Sequence, residues 1–192
     1  MISVRDFSKA IRSTFILWII TAVIYPLLIL LFGQLIVPFQ ANGSLIKNDQ
    51  GNIIGSSLIG QPFQSDKYFW SRASTIDYST GENAGNTGVS GASNLAPSNP
   101  DLVTNIQTEI TKLQQANINP TADLVYTSGS GLDPHISIES AQNQINRVAT
   151  ARNLDPNKVE LLINKATEGR FLGVFGEPCV NVLKLNIELN KL

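Results

Sequence analysis

Four side chains able to support hydrolysis occur within eight consecutive residues: Ser128, Ser130, Asp133 and His135. A serine hydroxyl becomes a nucleophile when a histidine accepts its proton and a carboxylate orients that histidine. The nucleophile elbow that positions such a serine has the pattern G-x-S-x-G, and neither serine has glycine on both sides at that spacing. Asp133-Pro134-His135 is more simply a turn, because an aspartate carboxylate accepts backbone N–H bonds and an imidazole can lock a neighbouring loop. We therefore predict no catalytic residue, and a membrane-anchored serine hydrolase that uses Ser130 or Ser128 with His135 is the alternative.

Phosphate and metal chemistry have little support in the sequence. It contains neither a G-x-x-x-x-G-K-[S/T] loop nor a G-x-G-x-x-G fingerprint at a strand–helix junction. Gly85, Gly88 and Gly91 are evenly spaced, but they lie in a polar stretch without such a junction. One His and one Cys cannot assemble a zinc site of the usual kind. We predict no cofactor-binding and no metal-binding residue, and we interpret Cys179 as a small, buried apolar side chain.

The segment Tyr68-Phe69-Trp70-Ser71-Arg72 combines three aromatic rings with a guanidinium group. In one interpretation Trp70 and Arg72 form a cation–π pair or a patch that faces a partner. In the other, the aromatic rings belong to the core and Arg72 pairs with a local acid. The sequence favours neither interpretation.

Residues 15–37 form an apolar stretch in which the Tyr25 phenol is the single ionisable group. As a helix these 23 residues would extend roughly 34 Å, enough to cross a hydrocarbon core of about 30 Å. The stretch is too long for a cleaved signal peptide, and no A-x-A pattern follows it. We predict an uncleaved transmembrane helix, with a kink near Pro26.

The charges on either side of this span predict its orientation. Arg5, Lys9 and Arg12 precede it with one acid, Asp6, and the next charge is Lys47. The positive-inside rule then places residues 1–14 in the cytoplasm and residues 38–192 on the far side of the membrane. The outer part carries 11 of the 14 basic and 14 of the 15 acidic residues, a net charge of −3. This acidic balance argues against nucleic-acid binding.

The remaining sequence predicts an α+β domain with helices packed on a small sheet. A turn at residues 49–52 between short apolar pairs indicates a hairpin. Asn99, Ser137 and Asp155 precede apolar stripes at helical spacing, so they are predicted N-caps. The predicted helices cover residues 100–117, 138–148 and 156–168, the last ended by Gly169, and the predicted strands cover residues 123–127 and 183–189.

Residues 79–99 are predicted to form a long polar surface loop. Twelve of these 21 residues are Gly, Ser or Asn, and Glu82 is the one charged residue. Such a composition buries too little apolar surface to offset the entropy lost on ordering. We expect this loop to be ordered against a partner.

A series of short segments resembles the C subunit of the Kdp-type potassium-transporting ATPase. After the apolar span the segments are Gly43-Ser44-Leu45-Ile46, Gly55-Ser56, Leu58-Ile59-Gly60-Gln61, Tyr68-Phe69-Trp70-Ser71-Arg72, Ala92-Ser93-Asn94-Leu95, Ser98-Asn99-Pro100, Asp123-Leu124-Val125, residues 128–136, Arg147-Val148-Ala149, residues 176–182 and Leu185-Asn186. The resemblance covers nearly the whole chain, with the segments in the same order. No single segment is specific to the family, but all of them together are. Ala73 is a departure, because family members usually have proline after the arginine.

The resemblance implies a non-catalytic accessory subunit of a bacterial inner-membrane complex that imports potassium at the expense of ATP. In that family a channel-like subunit carries the ion and a P-type subunit hydrolyses ATP. The C subunit acts as a catalytic chaperone that raises the ATP affinity of the hydrolysing subunit. No cofactor is then expected to bind this chain directly. The residues of the resembling segments that are candidates for a partner-facing or structural role are Gln61, Tyr68, Trp70, Arg72, Ser93, Asn94, Asp133, His135 and Arg147.

The predicted topology separates the folded domain, in the periplasm, from cytosolic ATP. Any effect on nucleotide affinity would then be an indirect coupling through the complex. We expect the outer domain to pack over the outer mouth of the ion-conducting subunit. No selectivity-filter sequence such as T-V-G-Y-G occurs, so this chain is not expected to select the ion. A membrane-anchored binding module with another partner is a third interpretation.

Overall fold

The computed structural model describes residues 4–48, 50–80 and 88–192. They divide into two compact units, with the boundary in the sequence between Leu45 and Ile46. The first unit is helical, and the second combines helices with small sheets. The predicted α+β class with one N-terminal apolar helix is therefore confirmed.

The N-terminal unit contains Val4–Ile36, the one helical stretch among the described residues that is long and apolar enough to cross a membrane. It comprises α1 (Val4–Ile19), a π-helical turn (Ile20–Ile24) and α2 (Tyr25–Ile36), and α3 (Pro38–Ala41) follows. The π-helical turn ends two residues before Pro26, near which the sequence predicts a kink. Proline lacks an N–H group, and in a regular α-helix its ring clashes with the carbonyl four residues earlier. The wider turn accommodates the proline, and Tyr25 N–H donates to the carbonyl of Ile20.

The C-terminal unit contains two small sheets and a set of helices. The strands are β1 (Leu45–Lys47), which begins at the last residue of the N-terminal unit, β2 (Ile53–Ser56), β3 (His135–Ser137), β4 (Thr167–Glu168) and β5 (Cys179–Asn181). Its helices are α4 (Pro100–Gln115), α5 (Ala122–Val125), α6 (Ile138–Gln142), α7 (Ile145–Arg152), α8 (Pro156–Ala166) and α9 (Val182–Leu189). β1 and β2 pair with each other, as predicted, although Asp49 of the predicted turn lies outside the described residues.

The second sheet has three antiparallel strands in the order β3-β5-β4. His135 pairs with Asn181, Ser137 pairs with Cys179, and Glu168 pairs with Cys179 from the other side. Paired residues of antiparallel strands share a face, and so do residues two apart on one strand. The side chains of His135, Glu168 and Cys179 therefore lie on the same face.

Helices α5, α6, α8 and α9 pack against this sheet, α4 and α7 pack against other helices, and together they enclose one apolar core. Val148, Val159, Ile163, Val180, Leu185 and Leu189 are among its fully buried members. Phe69, from the segment before the long polar loop, is fully buried in the same core. Burying one such side chain stabilises the fold by about 1.5–3 kcal/mol, so the core fixes the position of the segment around Phe69.

The predicted N-caps are confirmed. Asn99, Ser137 and Asp155 each accept a backbone N–H bond at the start of α4, α6 and α8. The helix predicted over residues 138–148 is divided into α6 and α7, which are separated by Asn143 and Gln144.

The strand predicted over residues 183–189 is wrong, because this segment forms α9. Asn181 caps the helix by accepting a bond from Lys184 N–H. Asn186, which the alternating pattern assigns to the polar face, is buried and holds the backbone of Phe69 through two hydrogen bonds. The alternating apolar and polar residues therefore led to the wrong element type, because Asn186, one of the polar residues, faces the core.

Two further predictions are corrected. The strand predicted over residues 123–127 is the short helix α5, whose consecutive residues Leu124 and Val125 are both buried. In a strand, adjacent side chains such as these would point to opposite faces of the sheet, whereas in α5 both pack into the core. The third helix ends at Ala166 rather than at Gly169, because Thr167 and Glu168 pair as β4 with β5.

The predicted polar loop is described in part, since residues 81–87 lie outside the described residues. Residues 88–99 contain no helix or strand. Gly91 N–H donates to the carbonyl of Ser130 over 2.9 Å, and Ser90 Oγ donates to the same carbonyl over 3.0 Å. These bonds fasten the described end of the loop to the Ser-Gly turn at residues 128–131.

Four exposed apolar side chains occupy the loop between β4 and β5. Phe171, Leu172, Val174 and Phe175 are between 63% and 76% exposed, and we call them the apolar tip. Phe171 N–H donates to the carbonyl of Phe175, and Phe175 N–H donates to that of Phe171. These bonds give the tip a closed hairpin backbone that leaves its large side chains in water.

Candidate functional site

A row of ionisable side chains connects the three-stranded sheet to α9, and we call it the charged row: Arg72, Asp133, His135, Glu168 and Lys184. Arg72 Nη1 lies 2.7 Å from Asp133 Oδ2, and His135 Nδ1 lies 3.6 Å from Asp133 Oδ1. His135 Nε2 lies 3.3 Å from Glu168 Oε2, and Lys184 Nζ lies 2.7 Å from Glu168 Oε1. Arg72 thus pairs with an acid, as one interpretation predicts, but that acid is 61 residues away rather than local.

The charged row shifts the pKa of its members. Burial would raise the pKa of Asp133, but hydrogen bonds from His135 and Arg72 and the Arg72 charge outweigh it and lower that pKa to about 2. The hydrogen bond to Asp133 raises the pKa of His135, and burial opposes this shift while the Glu168 charge adds to it. For Glu168, burial is outweighed by Lys184 and His135, so its pKa is lowered. The row therefore favours ionised carboxylates on both sides of the imidazole.

The Ser-Gly turn does not form a catalytic triad with His135. Ser128 is 1% exposed, and its hydroxyl accepts backbone N–H bonds from Ser130 and Gly131. Ser130 accepts from Leu132 N–H and contacts the hydroxyl of Ser128. Among the described residues no hydrogen bond joins either serine to His135. The serines instead satisfy the backbone of their own turn.

Close packing around Gly131 supports this structural role. Its φ is +69°, and a Cβ atom there would lie 2.4 Å from the side chain of Ile76 and 2.7 Å from the carbonyl of Gly91. Only glycine fits both this backbone conformation and this distance.

A second group of candidate residues forms around Trp70. The guanidinium carbon of Arg147 lies 4.2 Å from the Trp70 ring centroid, and Lys112 Nζ lies 5.7 Å from it. Trp70 therefore makes cation–π contacts with Arg147 and Lys112, whereas among the described residues none joins it to Arg72 as the first interpretation expects. Arg147 also donates to the carbonyls of Asp66 and Tyr68. Burial lowers the pKa of Arg147 to about 10, despite the opposing charge of Asp66.

The remaining candidates have local structural contacts. The side chain of Gln61 donates from Nε2 to the backbone carbonyl of Ile54, and the backbone carbonyl of Gln61 accepts from Ser71 Oγ. Ser93 lines a cavity of about 140 Å³ beside α4. Asn94 has a left-handed backbone with φ of +52°. No hydrogen bond between described residues connects these three side chains to the charged row.

A cleft of about 440 Å³ lies beside Trp70, Arg72 and Tyr78. Glu109 and Lys112 of α4 also line it, and they pair with each other at 3.2 Å. Its walls carry charges of both signs.

Sequence reasoning missed the partners that hold these groups in place. Glu168 and Lys184 lie in elements whose bounds or type were mispredicted, so no signal linked them to His135. Gln144 had a detectable signal, because it lies three residues after Ala141 and four before Val148, which puts a polar residue on the predicted apolar face. Cys179 is half-buried rather than buried, and its ligating atom lies within 4.8 Å of those of His135 and Glu168.

The chain is similar to potassium-transporting ATPase subunits along nearly its whole length. A family model described as "KdpC: K+-transporting ATPase, c chain" matches residues 7–191. A potassium-transporting ATPase KdpC subunit from a Synechocystis species is 58% identical over 187 residues, which cover 97% of this chain and 98% of the relative. KdpC subunit 1 from a Nostoc species is 55% identical over 195 residues, covering 98% and 96%. The KdpC subunit of Gloeobacter violaceus is 48% identical over 191 residues, covering 99% and 98%.

Proposed function

The chain belongs to the KdpC family of K+-transporting ATPase c chains, and we propose that it is a non-catalytic subunit that assembles through its folded domain. Its partners in this proposal are a channel-like subunit that carries potassium and a P-type subunit that hydrolyses ATP. The observation that supports a structural role is that the predicted polar candidates bond mainly to one another and to backbone. The serine hydrolase alternative lacks a comparable observation, since Ser128 is buried and bonded within its turn.

We propose that residues 1–14 are cytoplasmic and that the folded domain is periplasmic, at the bacterial inner membrane. Three basic residues precede the apolar helix, which supports this orientation. A C-terminal fusion tests it, because alkaline phosphatase is active outside the cytoplasm and green fluorescent protein exported unfolded through the general secretory route stays dark. Phosphatase activity with no fluorescence is expected, and the reverse pattern would refute the orientation.

We propose that the apolar tip contacts a partner subunit of the complex. Four large apolar side chains in one loop expose an apolar surface that isolated soluble domains usually bury. Aromatic residues are also enriched at the buried centre of protein interfaces. The tip therefore has the composition of an interface centre, and the bonds between Phe171 and Phe175 shape it before binding.

Co-purification of the complex through a tag on this chain tests the tip. The double variant Phe171→Ser, Phe175→Ser should recover much less of the large subunits than the unmodified chain. Leu161→Ser is the matched control, because Leu161 is 67% exposed on α8 and its loss should leave recovery unchanged. Equal recovery with the double variant and the control would refute docking through the tip.

A further inference from the structure

Three side chains with metal-ligating atoms are brought together by three different strands. His135 lies on β3, Cys179 on the central β5 and Glu168 on β4, and their ligating atoms all lie within 4.8 Å of one another. The antiparallel register places all three on one face of the sheet. The backbone hydrogen bonds of the sheet therefore fix the backbone positions of these three residues, so their proximity does not depend on side-chain conformation alone.

The spacing between His135 and Glu168 suits two ligands of one ion. Nε2 and Oε2 are 3.3 Å apart. Two N or O ligands of a tetrahedral zinc ion, at bond lengths of about 2.0–2.1 Å, are separated by about 3.3 Å. A sulfur ligand lies about 3.6 Å from its neighbours in such a site, so each distance from Cys179 Sγ, at most 4.8 Å here, has to shorten by no more than about 1.2 Å. Side-chain rotation provides a movement of that size.

The second nitrogen of His135 is already oriented by an acid. Asp133 Oδ1 lies 3.6 Å from Nδ1, and a carboxylate there favours the tautomer that keeps the proton on Nδ1. Histidine ligands commonly have such a carboxylate behind them, because it fixes the ring and strengthens the ligand. In this tautomer Nε2 directs a lone pair at Glu168 Oε2, and the two repel unless a proton or a metal ion lies between them. The arrangement thus has a position for a cation.

We propose that His135 Nε2, Glu168 Oε2 and Cys179 Sγ bind a zinc ion, with a fourth position open to water or to a side chain of a partner. Sulfur and imidazole ligands favour zinc over magnesium or calcium, which prefer oxygen ligands. On binding, the Cys179 thiol and any protonated His135 Nε2 release their protons to solvent, and the thiolate and the neutral imidazole bond to the metal. The charges then balance, since one thiolate and one carboxylate neutralise the two positive charges of the ion. Lys184 retains its contact with the other oxygen of Glu168, 2.7 Å away.

Zinc at this position would close the base of the loop that carries the apolar tip. Glu168 precedes that loop and Cys179 follows it, and the two residues are paired in register. The strand β4 has only two residues, so few backbone bonds hold the loop base. A metal bridge between β4 and β5 would add a bond there and restrict how the tip is presented.

The test is a zinc titration of the full chain in detergent, carried on a tag without histidine, against a chromophoric chelator of known affinity. We expect one equivalent to bind with a dissociation constant at or below about 1 μM, weaker than four-ligand structural sites. Cys179→Ser and His135→Gln should each weaken binding by more than the about 10- to 100-fold typical of residues that only orient a ligand, and Asp133→Asn should fall within that range. Glu109→Gln on α4 is the control for loss of one acidic group and should leave zinc affinity unchanged. Circular dichroism of each variant confirms that it is folded.

Cobalt substitution provides a readout that depends on the ligands themselves. Tetrahedral Co2+ bound to a thiolate gives a sulfur-to-metal charge-transfer band in the near ultraviolet, which Cys179→Ser should abolish. An unmodified chain that binds zinc no more tightly than Cys179→Ser would overturn the assignment. A cobalt complex of the unmodified chain without the thiolate band would overturn it equally.

Discussion

Gln144 is a fully buried amide that holds Trp70 by both of its backbone groups. Gln144 Oε1 accepts from Trp70 N–H over 2.7 Å, and Gln144 Nε2 donates to the Trp70 carbonyl over 3.2 Å. The same Oε1 accepts from Arg147 Nη2 over 2.7 Å, and Arg147 lies over the Trp70 ring. Trp70 lies outside the strands, so this side chain performs the role that a neighbouring strand has in a sheet.

Gln144→Leu should lower the free energy of unfolding by about 2–4 kcal/mol, because it leaves the backbone N–H and carbonyl of Trp70 without their partners. Denaturant unfolding followed by tryptophan fluorescence measures this change. Gln115→Leu, at an exposed position near the end of α4, should change it by less than about 0.5 kcal/mol. Similar losses for both variants would show that the amide has no special role.

Ionisation of the buried Tyr78 hydroxyl should make the folded protein less stable at high pH. Its hydroxyl donates to the carbonyl of Arg72 over 2.5 Å, and burial raises its pKa from 10.0 to about 12. A raised pKa in the folded state means that this contribution is complete below pH 10 and is lost as pH rises towards 12. The expected loss is about 2–3 kcal/mol in the free energy of unfolding.

Tyr78→Phe separates this effect from the titration of other groups. The variant should be less stable than the unmodified chain at pH 8, and the difference should narrow between pH 10 and 12. Urea unfolding at a series of pH values gives both curves. A constant difference over this range would contradict the assignment to the Tyr78 hydroxyl.

At the scale of elements, β5 and α9 meet at a residue with two tasks. Asn181 Oδ1 accepts from Lys184 N–H at the start of α9, and its Nδ2 donates to the carbonyl of Ser57 over 2.8 Å. One side chain thus caps a helix and fastens the segment that follows β2. The antiparallel register places this residue opposite His135, so it also helps to set one edge of the charged row.

Asn181→Ala should lower the free energy of unfolding by about 2 kcal/mol, roughly half from the lost cap and half from the unpaired Ser57 carbonyl. Asn99→Ala removes only a cap, at the start of α4, and should cost about 1 kcal/mol. Both values come from denaturant unfolding under the same conditions. If the Asn181 variant is no less stable than the Asn99 variant, the hydrogen bond from Asn181 to the Ser57 carbonyl does not stabilise the fold.

The sequence predicted the elements whose signals are local. Asn99 and Asp155, each followed by proline, correctly marked the starts of α4 and α8, since a cap depends on neighbouring residues. The type of α9 was mispredicted because the burial of Asn186 depends on Phe69, 117 residues earlier. Glu168 escaped notice for the same reason, because only the pairing of β4 with β5 brings it to His135. Contacts between distant segments carry no pattern that a single sequence reveals.

At the scale of the whole molecule, the proposed periplasmic position of the folded domain would let it influence ATP only through other subunits. A complex assembled without this chain should therefore need more ATP to reach half-maximal hydrolysis, and a coupling of about 1–3 kcal/mol corresponds to a shift of about 5- to 150-fold. ATPase rates measured against ATP concentration, with and without the chain, give the shift. Equilibrium dialysis of the isolated chain should detect no bound ATP. ATP binding by the chain alone, at the affinity of the complex, would rule out indirect coupling.

The apolar tip also affects the fate of copies that have no complex to join. Such a copy exposes Phe171, Leu172, Val174 and Phe175 to water. Quality-control proteases and chaperones recognise exposed apolar side chains of this kind. An assembled copy hides them under the proposed docking. Surplus chains would then be degraded or would aggregate. A cell would avoid this loss by making no more of this subunit than of the least abundant partner subunit.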